Sequence, residues 1–301
     1  MNFPRYVVFG EALTDMLRQP DGHWLAIPGG ACWNVARAGA RLGVPTAFAG
    51  AVSCDLFGEQ LALEGQAAGL DSRFLQRSNA SPLLAMVASQ HPPQYFFIGD
   101  NSADLHFDPA RLPKGWRNDV EVVHFGGISL MRQPLAGLLV AEAVAAKKAG
   151  KRIAFDPNFR EMAYTPDYPS TFRTMASLAS YIKVSDDDLT GLFPKHSPAE
   201  GLAALRSLAP DAQILLTRGA EGMTLFTKKE IVEQPAYQVT VVDTVGCGDA
   251  SMAGWMSSLL LEPDAANATH LQISAAAAAL AATKAGPYPP TADEVHQLLK
   301  G

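Results

Sequence analysis

The chain has 301 residues, 48% of them apolar and 18% charged, with a formal charge of −6 at pH 7. That composition supports a sizeable folded core, and its acidic balance argues against a general nucleic-acid or anionic-membrane surface. No run reaches the roughly 18 to 20 apolar residues needed to span a membrane. The three cysteines, Cys32, Cys54 and Cys247, neither form a paired framework nor show metal-site spacing, so they suit a reducing cytoplasm.

Residues 6–10 are too short an apolar run for a signal peptide and read as the first core strand. Buried-type runs at 47–52, 120–125, 152–156, 181–184 and 214–217 also read as strands, separated in several places by alanine-rich amphipathic helices such as 134–148. This alternation predicts a mostly parallel sheet covered by helices. Two stretches, 17–27 and 83–98, have strand character without a crossover helix. Their tips, Pro20-Asp21-Gly22 and His91-Pro92-Pro93, carry turn residues, so they read as antiparallel hairpins at a sheet edge. Residues 237–243 read as a strand, 249–261 as a helix, and the alanine-rich 274–283 as a close-packed helix.

Gly246, Cys247 and Gly248 then fall at a strand-to-helix turn that ends in Asp249. A helix N-terminus offers unpaired amides and partial positive charge, and glycines let a phosphate oxygen approach the main chain. Asp249, at the ordinary aspartate pKa of about 3.9, would be ionised and able to accept a proton from an attacking alcohol. The same residues also suit a plain tight turn with Asp249 as helix cap. Cys247, at a helix start, is expected to have a lowered pKa and a reactive thiol. Gly29 and Gly30 precede a second helix with Asn34 in its first turns; a simple helix-entry turn would use the same glycines.

Competing chemistries lack their residues. The only Gly-Lys pair, Gly150-Lys151, is followed by Arg152, so no Walker-type loop exists, and the protein-kinase motifs are missing. A dinucleotide fingerprint at Gly246-x-Gly248 fails at Ser251, and Gly127-Ile128-Ser129-Leu130-Met131 lacks the second glycine of a nucleophile elbow. The seven histidines show no His-Glu-x-x-His pattern.

The segments 28–43 and 243–249 resemble the two signature regions of the ribokinase-like (PfkB) carbohydrate kinases, and the resemblance covers almost the whole chain. Gly10-Glu11-Ala12-Leu13-Thr14-Asp15, Phe155-Asp156-Pro157-Asn158-Phe159-Arg160, Lys183–Leu189 and Leu216–Gly222 fit the family in the expected order. The resemblance implies one three-layer α/β/α domain over 1–301, with a mostly parallel central sheet and a small β lid from two insertions, about 12–28 and 80–108. It implies phosphoryl transfer from ATP to a sugar hydroxyl. Fructokinase comes ahead of ketodeoxygluconate, ribose or nucleoside kinases, and a catalytically silent sugar- or nucleotide-binding regulator is the reading from another class.

By the same resemblance, Asp249 and the amides of Gly246, Cys247 and Gly248 are catalytic, while Asp15, Gly29, Gly30, Asn34 and Arg160 bind sugar. Arg160 could equally make a structural salt bridge. Lys183, Ser185, Thr217, Arg218, Gly219, Gly222 and Ala275 fall on the ATP side. Magnesium is expected with ATP, near Asp188 directly or through water, and Asp243 would help hold K+. Asp186 to Asp188 could also be plain surface acidity. Ser185 and Asp188 replace the family's usual Asn and Glu, and Ala275 replaces an Asn beside the adenine pocket. A homodimer in the cytoplasm, with small-molecule partners only, completes the expectation.

Overall fold

The structure, a computed structural model, describes residues 3–90 and 93–300. Strand β1 (Tyr6–Phe9) leads into β2 (Leu13–Arg18), β3 (Trp24–Gly29) and helix α1 (Ala31–Arg41), then β4 (Thr46–Ser53), α2 (Leu56–Ala67) and β5 (Leu75–Ser78). A hairpin follows, β6 (Leu84–Gln90) and β7 (Pro93–Ile98). The middle of the chain is β8 (Val122–Gly126), α3 (Leu135–Lys148), β9 (Arg152–Asp156), α4 (Tyr168–Leu178), β10 (Tyr181–Ser185), α5 (Asp186–Leu192) and α6 (Pro198–Leu208). It closes with β11 (Gln213–Thr217), β12 (Met223–Phe226), β13 (Ile231–Gln234), α7 (Cys247–Leu261), α8 (Asn267–Ala282) and α9 (Ala292–Leu299). No helix among the described residues is long and apolar enough to cross a membrane.

A nine-stranded sheet runs β13-β12-β11-β10-β9-β8-β1-β4-β5, parallel except for the antiparallel pairs β11–β12 and β12–β13. Side chains of β1 alternate between its faces: Val7 and Phe9 join the core shared with α3, α4 and α6, and Tyr6 and Val8 the core shared with α1, α7 and α8. Burial on both faces explains why the central strands read as unbroken apolar runs.

The two hairpins do not sit on an edge of this sheet. Strand β2 pairs antiparallel with β3 and parallel with β6, so the hairpins combine into a separate sheet, β3-β2-β6-β7. The β2–β6 pairing joins Thr14 to Leu84 and Leu17 to Val87, a contact too distant in the chain for turn chemistry to reveal. At the first tip, Gly22 takes φ +89° and donates its N–H to Gln19 O. His91 and Pro92 of the second tip lie outside the described residues.

Residues 237–243 form no strand, a second departure from the sequence reading. Val241 and Val242 carry β-branched propensity but are each 60% exposed, and the segment is tied by Val242 N–H to Ala282 O (2.8 Å) rather than by a ladder. The strands before it, β12 and β13, were not anticipated. Gly246 caps α7 at φ +80°, and Gly248 already belongs to the helix, so the turn is coil-to-helix. Helix α7 is buried along most of its length. A Cβ at Gly254 would lie 3.0 Å from Ala277 Cβ, so glycine and alanine let α7 and α8 pack backbone to backbone.

Candidate active site

Two helix N-termini meet at the C-terminal ends of the parallel strands. Helix α1 starts at Gly30, whose φ of +108° favours glycine; a Cβ there would come within 2.8 Å of Glu11 O. This places Asn34, almost fully buried, against the first turn of α7, where its Nδ2 donates to Asp249 Oδ2 at 2.8 Å. Gly29 serves the neighbouring carboxylate, since a Cβ on it would stand 2.5 Å from Asp15 Oδ2. Asp15, Gly29, Gly30, Asn34 and Asp249 therefore converge from two distant parts of the chain, 15–34 and the start of α7.

Arg160 joins them from the loop after β9. Its Nη1 donates to Phe159 O (2.7 Å), and its charge acts on both Asp15 and Asp249. Its charge is thus close enough to the cluster to act on two of its carboxylates. Burial raises the Asp15 carboxyl to about 6, against the opposing pull of Arg160. Burial also raises Asp249, although the Asn34 hydrogen bond, Lys183 and Arg160 pull it down. The ordinary aspartate value assumed from sequence is corrected accordingly: desolvation outweighs the nearby cations.

At the start of α7, Cys247 N–H turns back to Thr244 O (3.3 Å), while the amides of Gly248 and Asp249 have no main-chain acceptor among the described residues. The amide of Gly246 likewise has no acceptor among the described residues, so of the Gly246–Gly248 set only Cys247 is engaged. The Cys247 thiol is raised to about 11, by burial first and then by Asp249 and Asp243. Burial, helped by the two carboxylates beside the helix end, outweighs the dipole, so in place of the expected reactive thiolate the thiol stays protonated near neutrality. Of the other cysteines, Cys32 is buried and Cys54 exposed.

Residues on the expected ATP side divide. Lys183 is only 5% exposed, and its Nζ lies 3.1 Å from Asp156 Oδ2. Ser185 caps α5 in a reciprocal box with Asp188, whose Oδ2 accepts Ser185 N–H (2.8 Å) while its Oδ1 accepts Phe159 N–H (2.7 Å). Both oxygens of Asp188 therefore accept main-chain amides, which makes it a capping carboxylate, while Asp186 and Asp187 are exposed. Thr217 ends β11, and Arg218 Nη1 donates to Thr224 Oγ1 (2.9 Å), so the guanidinium braces its own turn. Gly219, at φ +50°, has open space where a side chain would go, whereas a Cβ on Gly222 would stand 2.2 Å from Gln234 O. Ala275 is buried in the core around α7 and α8.

Asp243 joins two loops: Oδ1 accepts Val245 N–H (3.1 Å) and Oδ2 accepts Gly286 N–H (2.9 Å). No group of three or more metal-type ligands occurs among the described residues. A cavity of about 600 Å³ lined by Phe159, Tyr164, Tyr168, Phe172 and Phe193 is apolar and includes none of the converging carboxylates.

Two buried carboxylates were missed as site residues. Asp156 pairs with Lys183, and burial holds it up at about 6. Glu11, 2% exposed, accepts Ser129 N–H (3.2 Å) and is raised by burial to about 7; a Cβ on Gly127, at φ +64°, would be 2.3 Å from its Oε1. The Gly10-Glu11 and Gly126-Gly127 pairs were the available signal, because a glycine in strained backbone often makes room for a neighbour.

Comparisons with known proteins show the family and the fold. Fructokinase-2 of Solanum lycopersicum is 32% identical, with 98% of this chain and 96% of the relative covered. The crystal structure of fructokinase with bound ATP from Xylella fastidiosa superposes with a TM-score of 0.88 at 28% identity, covering 99% of each chain. Fructokinase from Vibrio cholerae O395, in a fructose, ADP and calcium ion bound form, does so with a TM-score of 0.88 at 26% identity over 99% of each. The pattern of the pfkB family carbohydrate kinases matches residues 5–294, and the chain belongs to that family of sugar kinases, which transfer phosphate from ATP.

Proposed function

We propose that the protein phosphorylates fructose, with Asp249 as the base. The observation that carries this reading is the Asn34–Asp249 hydrogen bond, which sets a carboxylate beside the open amides of α7 and within the field of Asp15 and Arg160. The sugar hydroxyl gives its proton to Asp249 as its oxygen attacks the γ-phosphorus, and the bond from phosphorus to the ADP oxygen breaks. Amides of Gly248 and Asp249 stabilise the charge on the transferring phosphoryl oxygens. Asp15 and Asn34 receive sugar hydroxyls, with Gly29 and Gly30 allowing close approach. The second sheet, standing over this end of the large one, is assigned as the lid of a single domain.

Electrostatics favour a neutral sugar over a sugar acid. Arg160 stands between the fields of two carboxylates, and Lys183 is already paired, so little positive charge is left for a substrate carboxylate. Magnesium enters as part of the nucleotide substrate, held by phosphate oxygens and water. The described residues hold no group of three or more metal-type side chains to cage it. A potassium ion beside Asp243 would add positive charge near the phosphate. The unpaired cysteines suit a reducing cytoplasm.

A coupled ADP-release assay over fructose, ribose, 2-keto-3-deoxygluconate and nucleosides tests the acceptor. Fructose is expected to give the highest kcat/KM; a preference for the sugar acid would overturn the reading. A second expectation concerns acidity. Below pH about 6 Asp15 takes up a proton and ceases to be a full acceptor, so KM for fructose should rise as pH falls from 7 to 5. In Asp15→Asn that rise should vanish and KM should be high throughout. A parent KM that stays flat across this range would remove Asp15 from the sugar site.

A further inference from the structure

Lys183 was expected to touch ATP, but its ammonium is buried under the first turn of α7. A Cβ on Gly248 would lie 3.0 Å from Lys183 Nζ, so this glycine, besides exposing its amide, leaves room for the cation below. The partner Asp156 is 3% exposed and comes from the adjacent strand, one step beyond the Ile182–Phe155 register pair. Asp188 Oδ2 stands 4.0 Å from the same ammonium. A buried lysine facing this many carboxylates keeps its charge: burial opposes ionisation, and Asp156, Asp188 and Asp249 outweigh it.

The pair also controls the loop that carries Arg160. Asp156 Oδ1 accepts Asn158 N–H (3.0 Å), and Asn158 has φ +41°, a left-handed conformation found in no other non-glycine among the described residues. Asp188, the second neighbour of Lys183, accepts the next amide, Phe159 N–H. One ammonium thus organises both carboxylates that fold residues 156–160 back toward the sugar side.

We propose that Lys183 and Asp156 are a positioning dyad beneath the anion site, which supports the start of α7, sets the charge felt by Asp249 and fixes the loop that presents Arg160. The inference rests on the assignment of Asp249 as base. The groups that act on Asp249 are Asn34 from α1, Lys183 from β10, Arg160 from the β9 loop and Asp15 from β2, with Asp156 of β9, Cys32 of α1 and Cys247 of α7 also coupled to it. Within that set the dyad contributes one charge of each sign, so its two members should shift proton uptake in opposite directions.

The test is the pH dependence of kcat at saturating fructose and MgATP. Lys183→Met removes a cation and should move the acid limb to higher pH by about 1 unit or more. Asp156→Asn removes an anion and should move the limb to lower pH. Because Lys183→Met strands two buried carboxylates and is at risk of unfolding, circular dichroism accompanies each variant, and Asp156→Asn alone still decides the sign. If both folded variants lose activity with the limb unmoved, or if both limbs move the same way, the dyad is overturned while the base assignment stands. If Asp249→Asn turns over normally, the base assignment fails and the dyad fails with it.

Discussion

Asp249→Asn is expected to fold, bind fructose and MgATP, and turn over about 10²- to 10⁴-fold more slowly than the parent protein. The side chains are nearly isosteric, so the contact with Asn34 at 2.8 Å can persist with the new amide oxygen in place of Oδ2. What disappears is the capacity to accept the sugar proton. In the parent, kcat should climb with pH through a carboxyl raised above the ordinary aspartate range, because the protonated acid is inactive as base and burial favours the proton. In the variant that limb should be lost from the residual activity. Rapid-quench turnover and calorimetric binding of each substrate check this; parental kcat in Asp249→Asn would assign the proton to another acceptor.

The second large effect is expected at the glycines before Asp249. Gly246→Val places a β-branched residue at φ +80° with its Cβ 2.8 Å from Pro287 Cα, so the cap must move and carry the open amides with it. Gly248→Val drives a side chain toward the pinned ammonium of Lys183. Losing even one properly aimed donor costs roughly 10²- to 10³-fold in kcat, and displacing the whole turn should cost at least that much. Cys247→Ala is the control. Its amide already bonds Thr244 O and its thiol is protonated, so kcat should remain within a few-fold of the parent, on the order of 1 kcal/mol or less. Steady-state kinetics of the three variants separate a backbone role from a side-chain role; a collapse in Cys247→Ala with Gly246→Val intact would reverse the assignment.

The core of the fold was legible because buried parallel strands write themselves as short apolar runs, as in β9 and β11, and because α7 and α8 have the small, apolar residues that close packing needs. Residues 237–243 misled because valine and threonine favour extended backbone whether or not a partner strand exists. The separate sheet required the β2–β6 pairing, a long-range fact absent from local pattern. At the site, glycine pairs and polar residues near helix starts marked Gly29, Gly30, Asn34 and Asp249. Charge balance was not legible: the Lys183–Asp156 pair depends on strand register, the raised Asp249 and Cys247 on burial, and the capping by Asp188 on which amides lie nearby. These depend on packing, which spacing along the chain does not report.

Helix α7 carries the proposed proton acceptor and the open amides at one end, while the rest of it is wedged between α1 and α8 with glycine and alanine at its closest approach. On the reading of Asp249 as base, the chemistry is anchored in a buried helix pair, which is expected to open late. Local fluctuations in the second sheet or the 157–166 loop can admit and release substrates without disturbing the spacing between carboxylate and amides. Heat should consequently impair substrate capture before it dismantles the reacting end, and final inactivation should coincide with cooperative loss of the whole core.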